Sequence, residues 1–300
     1  MIKTTKKAVE AKLITHAGSM HADDVMATYI LSKVFGEVKV LRTCKVPDNL
    51  SEDVIIYDIG FGQYDHHQKG GNGTRENGVP YAACGLIWKE FGPRVVQETY
   101  APEFVWNVID RDLIQGIDAI DNGKMPKVDY PTSAKTISDT VKEFNPSWDS
   151  DEEPDKAFER AVEFAGIIFE NALKSANSKA KAKEIVETAI AESEGHIMIL
   201  KQYAPWEEFV FSSQNPKAED IWFVVYPSNR GGYNWQCVPD APQSFGQRKT
   251  VPPEWRGLRD QDLQNVAETK TATFCHPAGF IGGAETFQDA LKMAKKAVNC

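Results

Sequence analysis

Short apolar segments alternate with helical segments over the first third of the chain, and this order limits the folds that are open to it. Strands are predicted over 12–15, 38–43 and 53–57, and helices over 23–35, 81–91 and 101–117. A helix between two strands is too long a connection for a hairpin, so it favours parallel pairing of those strands. The first part of the chain is therefore predicted to be an α/β lobe with a largely parallel sheet.

The rest of the chain follows a different pattern. Residues 155–194 contain no proline and one glycine, Gly166, and their apolar residues recur at helical spacing, which predicts one long helix or a helical pair. Further strands are predicted over 197–200, 209–211, 221–226, 234–238 and 271–275, with a final helix over 286–298. This order predicts a smaller α+β lobe, joined to the first lobe by long helices.

Two domains are therefore predicted, one over 10–145 and one over 155–300 that includes the connecting helices. The stretch 144–154 is acidic and carries two prolines, which predicts a linker. With 300 residues, of which 42% are hydrophobic, the chain is long enough to bury a core in each domain.

Composition excludes several classes of protein. The net charge of −9 argues against broad, sequence-independent binding to duplex nucleic acid, which depends on many basic contacts to phosphates. No apolar run approaches the roughly 18 residues of a membrane span, and the basic N-terminus leads into no apolar signal segment. The five cysteines form no CxxC pair, which is typical of free thiols. We expect a cytoplasmic protein without a membrane partner, and homo-oligomerisation is left open.

Histidines and aspartates cluster where predicted strands and helices end. The candidate ligands and catalytic groups are His16, His21, Asp23, Asp58, His66, His67, Asp118 and Asp121. Ligands of open α/β sheets bind beside the carboxyl ends of the strands, so several of these side chains can converge there. Imidazole nitrogens with carboxylate oxygens suit Mn²⁺, Fe²⁺, Co²⁺ or Zn²⁺. The number of candidates favours two ions that share a bridging carboxylate, an arrangement that suits phosphoryl displacement.

Each of these residues also has an ordinary structural interpretation. Asp23 fits the first turn of a helix, where the helix dipole favours a carboxylate. Asp58 fits a turn after a strand, and Gly123 fits the end of a helix. The metal interpretation is favoured because the residues occur together at successive element ends and include the contiguous run 65–67.

The ordered set of motifs resembles the DHH phosphoesterase superfamily and, within it, the Myg-type (melanocyte proliferating gene one) family. Asp65-His66-His67 resembles the signature that names the superfamily, and Asp58 matches its second motif. His16 followed by His21-x-Asp23 resembles the first motif, except that His21 stands where a carboxylate is usual. Strings at 118–123, 231–235, 253–258 and 274–280 also resemble the Myg-type family, so the likeness covers nearly the whole chain.

The resemblance implies a metal-dependent phosphoesterase in which the domain over 10–145 binds metal and the domain over 155–300 binds substrate. Mn²⁺ is the favoured ion, with Zn²⁺, Fe²⁺, Co²⁺ and Mg²⁺ as alternatives, and two ions are expected. The implied metal ligands are His16, His21, Asp23, Asp58 and His66, with Asp118 and Asp121 both open as the ligand of the fourth motif. The implied catalytic residues are Asp58 as the bridging ligand, His66 on the metal and His67 at the scissile phosphate.

The C-terminal lobe offers candidate substrate-binding residues, namely Arg230, Gly231, Gly232, Trp235, Arg256 and His276, with Arg259 as a further cation. The Arg-Gly-Gly run combines a cation with backbone amides that a phosphate can approach closely. The string that begins at His276 loosely resembles the glycine-rich histidine motif of DHH-associated substrate domains. Trp235 or Trp255 could stack on a base, although a packing role in the core is the more common one for tryptophan.

The resemblance and the residues together predict a metal-dependent phosphodiesterase, specifically a 3′→5′ exonuclease that acts on short single-stranded RNA or small nucleotides. Two alternatives stay open. The same chemistry serves a pyrophosphatase, a polyphosphatase or a cyclic-dinucleotide phosphodiesterase. The histidine at position 21 also leaves open a metal- or nucleotide-binding protein without catalytic activity.

Overall fold

The computed structural model of the protein describes residues 2–125 and 134–300. The chain forms two compact units, Met1–Ser178 and Lys179–Cys300. The boundary between them falls inside one continuous helix of 38 residues, Pro154–Ala191, so the region predicted as one helix or a pair is a single helix that ends three residues before 194. The stretch 144–154 lies within the first unit. None of the helices in the described ranges combines the length and the apolar character that crossing a membrane requires.

The first unit is built on a parallel sheet, which confirms the predicted α/β class. Its strands are β1 (Ile2–Thr5), β2 (Leu13–His16), β3 (Val38–Thr43) and β4 (Ile55–Ile56). Within the described residues they run in the order β1-β3-β2-β4, and every neighbouring pair is parallel. Because β2 lies between β3 and β4, the residues that follow β2 and β4 emerge side by side at the carboxyl edge. The edge strand β1 was not predicted, since its short polar sequence carries no strand pattern.

The first unit also contains helices, which pack mainly on one another, and the first of them packs on β2. They are α1 (Ala22–Phe35), α2 (Ala83–Val96), α3 (Pro102–Ile109), α4 (Gln115–Asp121), α5 (Ile137–Lys142) and the long helix, here α6. The helix predicted over 101–117 is interrupted by a π-helical turn, Asp110–Ile114, that separates α3 from α4. A π turn inserts one residue into the helix and so changes the direction in which all later side chains point.

The second unit has a mixed sheet, as the predicted α+β class requires. Its strands are β5 (Ile197–Ile199), β6 (Phe223–Pro227), β7 (Tyr233–Cys237), β8 (Ala272–Cys275) and β9 (Ile281–Ala284), in the order β5-β6-β7-β9-β8. The strands β5 and β6 pair in parallel, and the other neighbours pair antiparallel. The helices are α7 (Glu207–Ser212), α8 (Asp260–Ala267) and α9 (Phe287–Val298). The buried face of α9, with Met293, packs against Phe223, Trp235 and Trp255.

Two elements of the second unit differ from the sequence prediction. The strand predicted over 209–211 is wrong, because Phe209 and Val210 donate backbone hydrogen bonds to the Trp206 carbonyl and belong to α7. A short apolar run is compatible with either state, so its pattern cannot distinguish them. Strand β9 was not predicted, since glycine has low strand propensity. A Cβ atom at Gly282 would lie 2.2 Å from Cζ2 of Trp235, so the missing side chain makes room for that ring.

Two helical glycines of the first unit allow a matched test of packing. Gly166 of α6 is buried, and a Cβ atom there would lie 2.4 Å from the Tyr29 ring. Gly116 of α4 is exposed and has no atom within 4 Å of that position. We expect Gly166→Ala to destabilise the fold by about 1–3 kcal/mol through overpacking. Gly116→Ala should stabilise it by about 0.5–1 kcal/mol through helix propensity.

Urea denaturation followed by circular dichroism measures both effects. If both variants changed the free energy of unfolding by the same amount and in the same direction, the packing described here would be contradicted.

Candidate metal centre

The centre begins where two adjacent parallel strands end. His16 is the last residue of β2, and Asp58 follows β4 after one buried tyrosine. His16 Nε2 lies 3.3 Å from Asp58 Oδ2 and 3.5 Å from Asp24 Oδ2. Asp24 is in the first turn of α1, where its Oδ1 accepts a hydrogen bond from the His21 backbone amide at 2.8 Å. The strand end, the strand-end turn and the helix N-terminus therefore meet at one point.

The loop after β4 folds back so that the Asp-His-His run lies beside Asp58. Asp58 and Phe61 both have left-handed backbone conformations, with φ of 55° and 57°. Such conformations are strained for residues with a side chain and persist where the surrounding structure holds them. The Asp58 amide donates to the Tyr64 carbonyl at 2.9 Å, which closes the loop. As a result, Nδ1 of His66 and Nδ1 of His67 lie 3.6 Å and 3.5 Å from Asp58 Oδ1.

His66 connects three carboxylates. Its Nδ1 atom lies 3.6 Å from Asp58 Oδ1 and 3.9 Å from Asp23 Oδ2, and its Nε2 atom lies 3.0 Å from Asp121 Oδ2. His21 stands at the margin of the group, with Nδ1 3.7 Å from Asp121 Oδ1. The structure thus brings together predicted residues from four segments of the chain, namely 16–23, 58, 66–67 and 118–121.

Asp23 is held by the N-terminus of α2. The Ala83 amide donates to its Oδ2 at 3.0 Å, and the Cys84 amide donates to its Oδ1 at 2.6 Å. The first amides of a helix have no partner within the helix and carry a partial positive charge, so they stabilise a carboxylate there. Asp23 is fully buried and faces His66 from this position.

The geometry separates the two candidates for the fourth motif. Asp118 is paired with a cation, since its Oδ2 accepts from Arg75 Nη1 at 2.8 Å, and its Oδ1 accepts from the Gly85 amide at 2.9 Å. Asp121 lies one helical turn further on and faces His66 and His21. The arrangement therefore favours Asp121 as a ligand and gives Asp118 contacts to Arg75 and α2.

His67 is the exposed histidine of the group. Its side chain is 53% exposed, and its ring stacks on that of His66 with centroids 4.4 Å apart. Its Nδ1 atom lies 2.7 Å from Oδ1 of the buried Asp65, which also accepts from the Phe61 amide at 2.7 Å. A carboxylate on Nδ1 fixes the ring and its tautomer, so that Nε2 is left for a ligand.

Three residues of the centre were not predicted as site residues. Asp24 and Asp65 lie within or next to the motifs given above, and their position directly beside the predicted ligands Asp23 and His66 could have identified them. Arg75 is an isolated arginine in a glycine-rich loop, and no sequence pattern distinguishes it from a surface residue.

Crowding shapes the electrostatics of the centre. Burial raises the pKa of Asp23 well above its usual range, and the charges of Asp58, Asp121 and Asp118 add to this. Burial likewise raises the pKa of Asp24 to about 7. Burial opposes the charging of His16, but the neighbouring carboxylates of Asp58 and Asp24 outweigh it and raise the pKa of His16 to about 9. The group therefore favours positive charge and resists further negative charge.

The donors fit a divalent cation. Asp58 Oδ1, Asp58 Oδ2, Asp24 Oδ2 and His66 Nδ1 are buried, and none of them makes a hydrogen bond of suitable geometry within the described residues. The facing imidazole and carboxylate atoms lie 3.3–3.6 Å away. Buried polar atoms without a partner are costly, and a cation would satisfy them. Donor atoms lie within 4.8 Å of one another in two overlapping groups, Asp58–Asp65–His66–His67 and Asp23–His66–Asp121. Carboxylate oxygens mixed with imidazole nitrogens suit the first-row divalent metals.

A cavity of about 680 Å³ in the second unit contains part of the predicted substrate site. Arg230, Gly231 and Gly232 line it together with Arg259. Both glycines have left-handed conformations, and a Cβ atom at Gly232 would lie 2.5 Å from the Ala284 carbonyl oxygen. Only glycine allows this close approach, which places the loop backbone on the cavity wall.

The other predicted substrate residues lie elsewhere. Trp235 is fully buried, with its ring centroid 6.3 Å from that of Trp255, so no base can stack on it and the predicted role of Trp235 is wrong. Arg256 lies against the turn at Gly279, where a Cβ atom would lie 2.9 Å from its Nε. His276 is exposed at the start of that same turn, and its Nδ1 accepts from the Ala278 amide at 3.1 Å.

Together, the fold and the site define a two-unit α/β protein with a carboxylate–imidazole centre at the carboxyl edge of a parallel sheet. A family model described as an uncharacterised protein family (UPF0160), the MYG1 exonuclease family, matches residues 12–298. The chain belongs to this family.

Curated relatives agree with this membership. A MYG1 protein of Dictyostelium discoideum is 30% identical over 96% of each chain. The human protein named MYG1 exonuclease is 30% identical over 97% of this chain and 86% of its own length. A mouse protein of the same name is 30% identical over 94% of this chain and 83% of its own length. No solved structure matches the chain significantly.

The raised pKa values predict how the metal-free protein responds to pH. Folded Asp24 keeps a proton up to about pH 7, whereas the carboxyl of the unfolded chain loses it near 3.8. Folded His16 keeps its proton up to about 9, compared with 6.5 when unfolded. Because the folded state binds more protons, stability should fall as pH rises from about 5 to about 9.

Thermal unfolding in a chelator at several pH values measures this fall. Asp24→Asn should make it shallower, and a melting temperature that rises with pH would contradict the assignment.

Proposed function

We propose that this protein is a metal-dependent phosphodiesterase that removes nucleotides from the 3′ end of short single-stranded RNA. The observation that carries the proposal is Asp58, a buried carboxylate whose oxygens have no hydrogen-bond partner in the described part of the chain. Three histidines approach it to within 3.3–3.6 Å. The name of the mammalian relatives, MYG1 exonuclease, supports cleavage of phosphodiester bonds.

Five residues would hold the metal, namely His16, Asp23, Asp58, His66 and Asp121, with His21 at the margin. Asp58 would be the shared ligand, because it belongs to the His66–His67 group and also contacts His16. Mn²⁺ suits this donor set, and its carboxylates and imidazoles are numerous enough to hold two ions. A bound divalent ion supplies Lewis acidity for the phosphate and for the attacking water.

His67 would act on the phosphate itself. Its Nδ1 atom is held by Asp65, and its side chain is half exposed, so that in the imidazolium form, with a proton on each nitrogen, Nε2 can donate a hydrogen bond to a phosphate oxygen of the substrate. Burial alone would raise the pKa of Asp65, but hydrogen bonds from the His67 and Phe61 amides and from the His67 ring lower it. Asp65 therefore stays ionised and keeps the His67 ring in place.

The cavity of the second unit has the chemistry of a nucleotide-binding site. Arg230 and Arg259 bring two cations to its wall, and Tyr233 and Phe274 bring aromatic rings. Cations suit phosphate, and aromatic rings suit bases. This combination favours nucleotides over inorganic polyphosphate, for which a purely basic pocket would be expected.

The deciding experiment pairs the metal content of the purified protein with digestion of a short 5′-labelled RNA, with and without Mn²⁺. A ladder that shortens one nucleotide at a time from the 3′ end, only with metal, supports the proposal. Bound metal with an intact RNA would instead favour pyrophosphate or a cyclic dinucleotide as substrate. A protein without metal and without Mn²⁺-dependent turnover would favour the non-catalytic alternative.

A histidine pair tests the role of His67. We expect His67→Ala to lower kcat by about 10²–10⁴-fold, because a positioned proton donor to the phosphate is lost. Mn²⁺ binding should persist, since His66 and Asp58 remain. His196→Ala in the second unit, where the ring stacks on Trp222, removes a histidine far along the chain and should keep its turnover. Near-normal turnover of His67→Ala would remove His67 from the mechanism.

An arginine pair tests the cavity. Arg230→Ala should raise KM for RNA by about 10- to 100-fold, because a charge-assisted hydrogen bond to phosphate is lost. Arg256→Ala should have a smaller effect, since Arg256 lies against Gly279. Steady-state kinetics on one oligonucleotide gives both values, and an equal KM for Arg230→Ala and the wild type would place substrate binding elsewhere.

A further inference from the structure

Arg75 places a fixed positive charge next to the metal centre. Its side chain is 7% exposed. Nε and Nη2 donate to the two oxygens of Asp110 at 3.0 and 2.7 Å, and Nη1 donates to Asp118 Oδ2 at 2.8 Å. The guanidinium also stacks on the Tyr81 ring, 4.2 Å from its centroid. One arginine thus balances two carboxylates, one from the π turn and one from α4.

Asp118 has the surroundings of a metal ligand but is paired with this arginine. Donor atoms of Asp23, Cys84 and Asp118 lie within 4.8 Å of one another, and all three residues are buried. Two carboxylates and a thiol form a donor set that Zn²⁺ or Co²⁺ can use. In this structure the cation beside Asp118 is the guanidinium of Arg75.

We propose that Arg75 is a positioning residue that acts as an internal cation, holding Asp118 against α2 and keeping metal out of the Asp23–Cys84–Asp118 set. The inference rests on the proposed function in one respect, that the neighbouring centre binds metal. Arg75 thereby directs the ions to the side of Asp23 that faces His66.

The first turn of α2 connects the Asp23–Cys84–Asp118 set with the metal centre beside His66, and Asp23 belongs to both. Its amides are shared between two carboxylates, with Ala83 and Cys84 donating to Asp23 and Gly85 donating to Asp118. A Cβ atom at Gly85 would lie 1.8 Å from Asp118 Oδ2 and 2.8 Å from Arg75 Nη2. The arginine and the carboxylate are therefore packed directly on the helix backbone. If the guanidinium is lost, Asp110 and Asp118 become buried charges without a counter-charge, which is unfavourable and recruits a cation.

Co²⁺ titration tests the inference without any substrate. Co²⁺ bound by a thiolate shows a charge-transfer absorption in the near ultraviolet, whereas Co²⁺ bound by imidazole and carboxylate does not. We expect the wild type to bind Co²⁺ without this absorption. Arg75→Met should take up one further ion and show the absorption, and adding Cys84→Ser should abolish it. Arg75→Lys keeps a charge and should resemble the wild type.

A folded Arg75→Met protein with the wild-type stoichiometry and spectrum would overturn the inference. A second pair of variants covers the case in which Arg75→Met does not fold. Asp118→Asn should bind as many Mn²⁺ ions as the wild type, because Asp118 is not a ligand. Asp121→Asn, one turn along the same helix, should bind them at least about tenfold more weakly. Loss of an ion in Asp118→Asn would overturn the inference.

These readouts separate this inference from the proposed function. The expected Co²⁺ spectra with an RNA that stays intact would overturn the exonuclease activity and leave the role of Arg75 standing. If the wild type shortens RNA but the Co²⁺ spectrum of Arg75→Met equals that of the wild type, the exonuclease activity stands and the role of Arg75 is overturned.

Discussion

The buried carboxylates of the first unit need positive charge, and much of the surrounding structure supplies it. Asp23 receives two helix amides, Asp118 receives a third amide and an arginine, and His16 lies between Asp24 and Asp58. Each source has a fixed position, since strand ends, a helix N-terminus and a closed loop deliver them. Among the buried atoms of the described residues that stay without a hydrogen bond are both oxygens of Asp58, together with Asp24 Oδ2 and His66 Nδ1. A divalent cation is most stabilised beside these atoms.

Side chains from other segments hold the backbone of the loop between β2 and α1. The Met20 amide donates to Asn145 Oδ1 at 2.8 Å, and Asn145 Nδ2 donates back to the Met20 carbonyl at 3.0 Å. Buried Arg42 of β3 donates to the Gly18 carbonyl at 2.8 Å. The loop between β2 and α1 is thus fixed from two sides. Rigid loops keep ligand atoms in place before the metal arrives, which lowers the cost of binding it.

Much of the fold and part of the centre followed from local patterns. Apolar runs separated by helical periodicity predicted the parallel sheet, and β3 has the predicted bounds. His16 and Asp58 were recognisable because each stands at the end of a predicted strand and occurs together with further histidines and aspartates at other element ends. The choice between Asp118 and Asp121 could not be made from the sequence, since it depends on the π turn and on Arg75. The burial of Trp235 depends on Gly282 of a neighbouring strand, and α7 depends on the Trp206 carbonyl.

The π turn at Asp110–Ile114 has a consequence for how this chain can evolve. Each residue added to or removed from a helix rotates everything after it by about 100°. The turn precedes both Asp118 and Asp121, so its extra residue sets the direction of each. Substitutions around it can be absorbed, whereas a one-residue deletion would turn Asp118 away from Arg75 and Asp121 away from His66 in a single step. In descendants of this sequence, the number of residues between the π turn and Asp121 should therefore change less readily than the types of those residues.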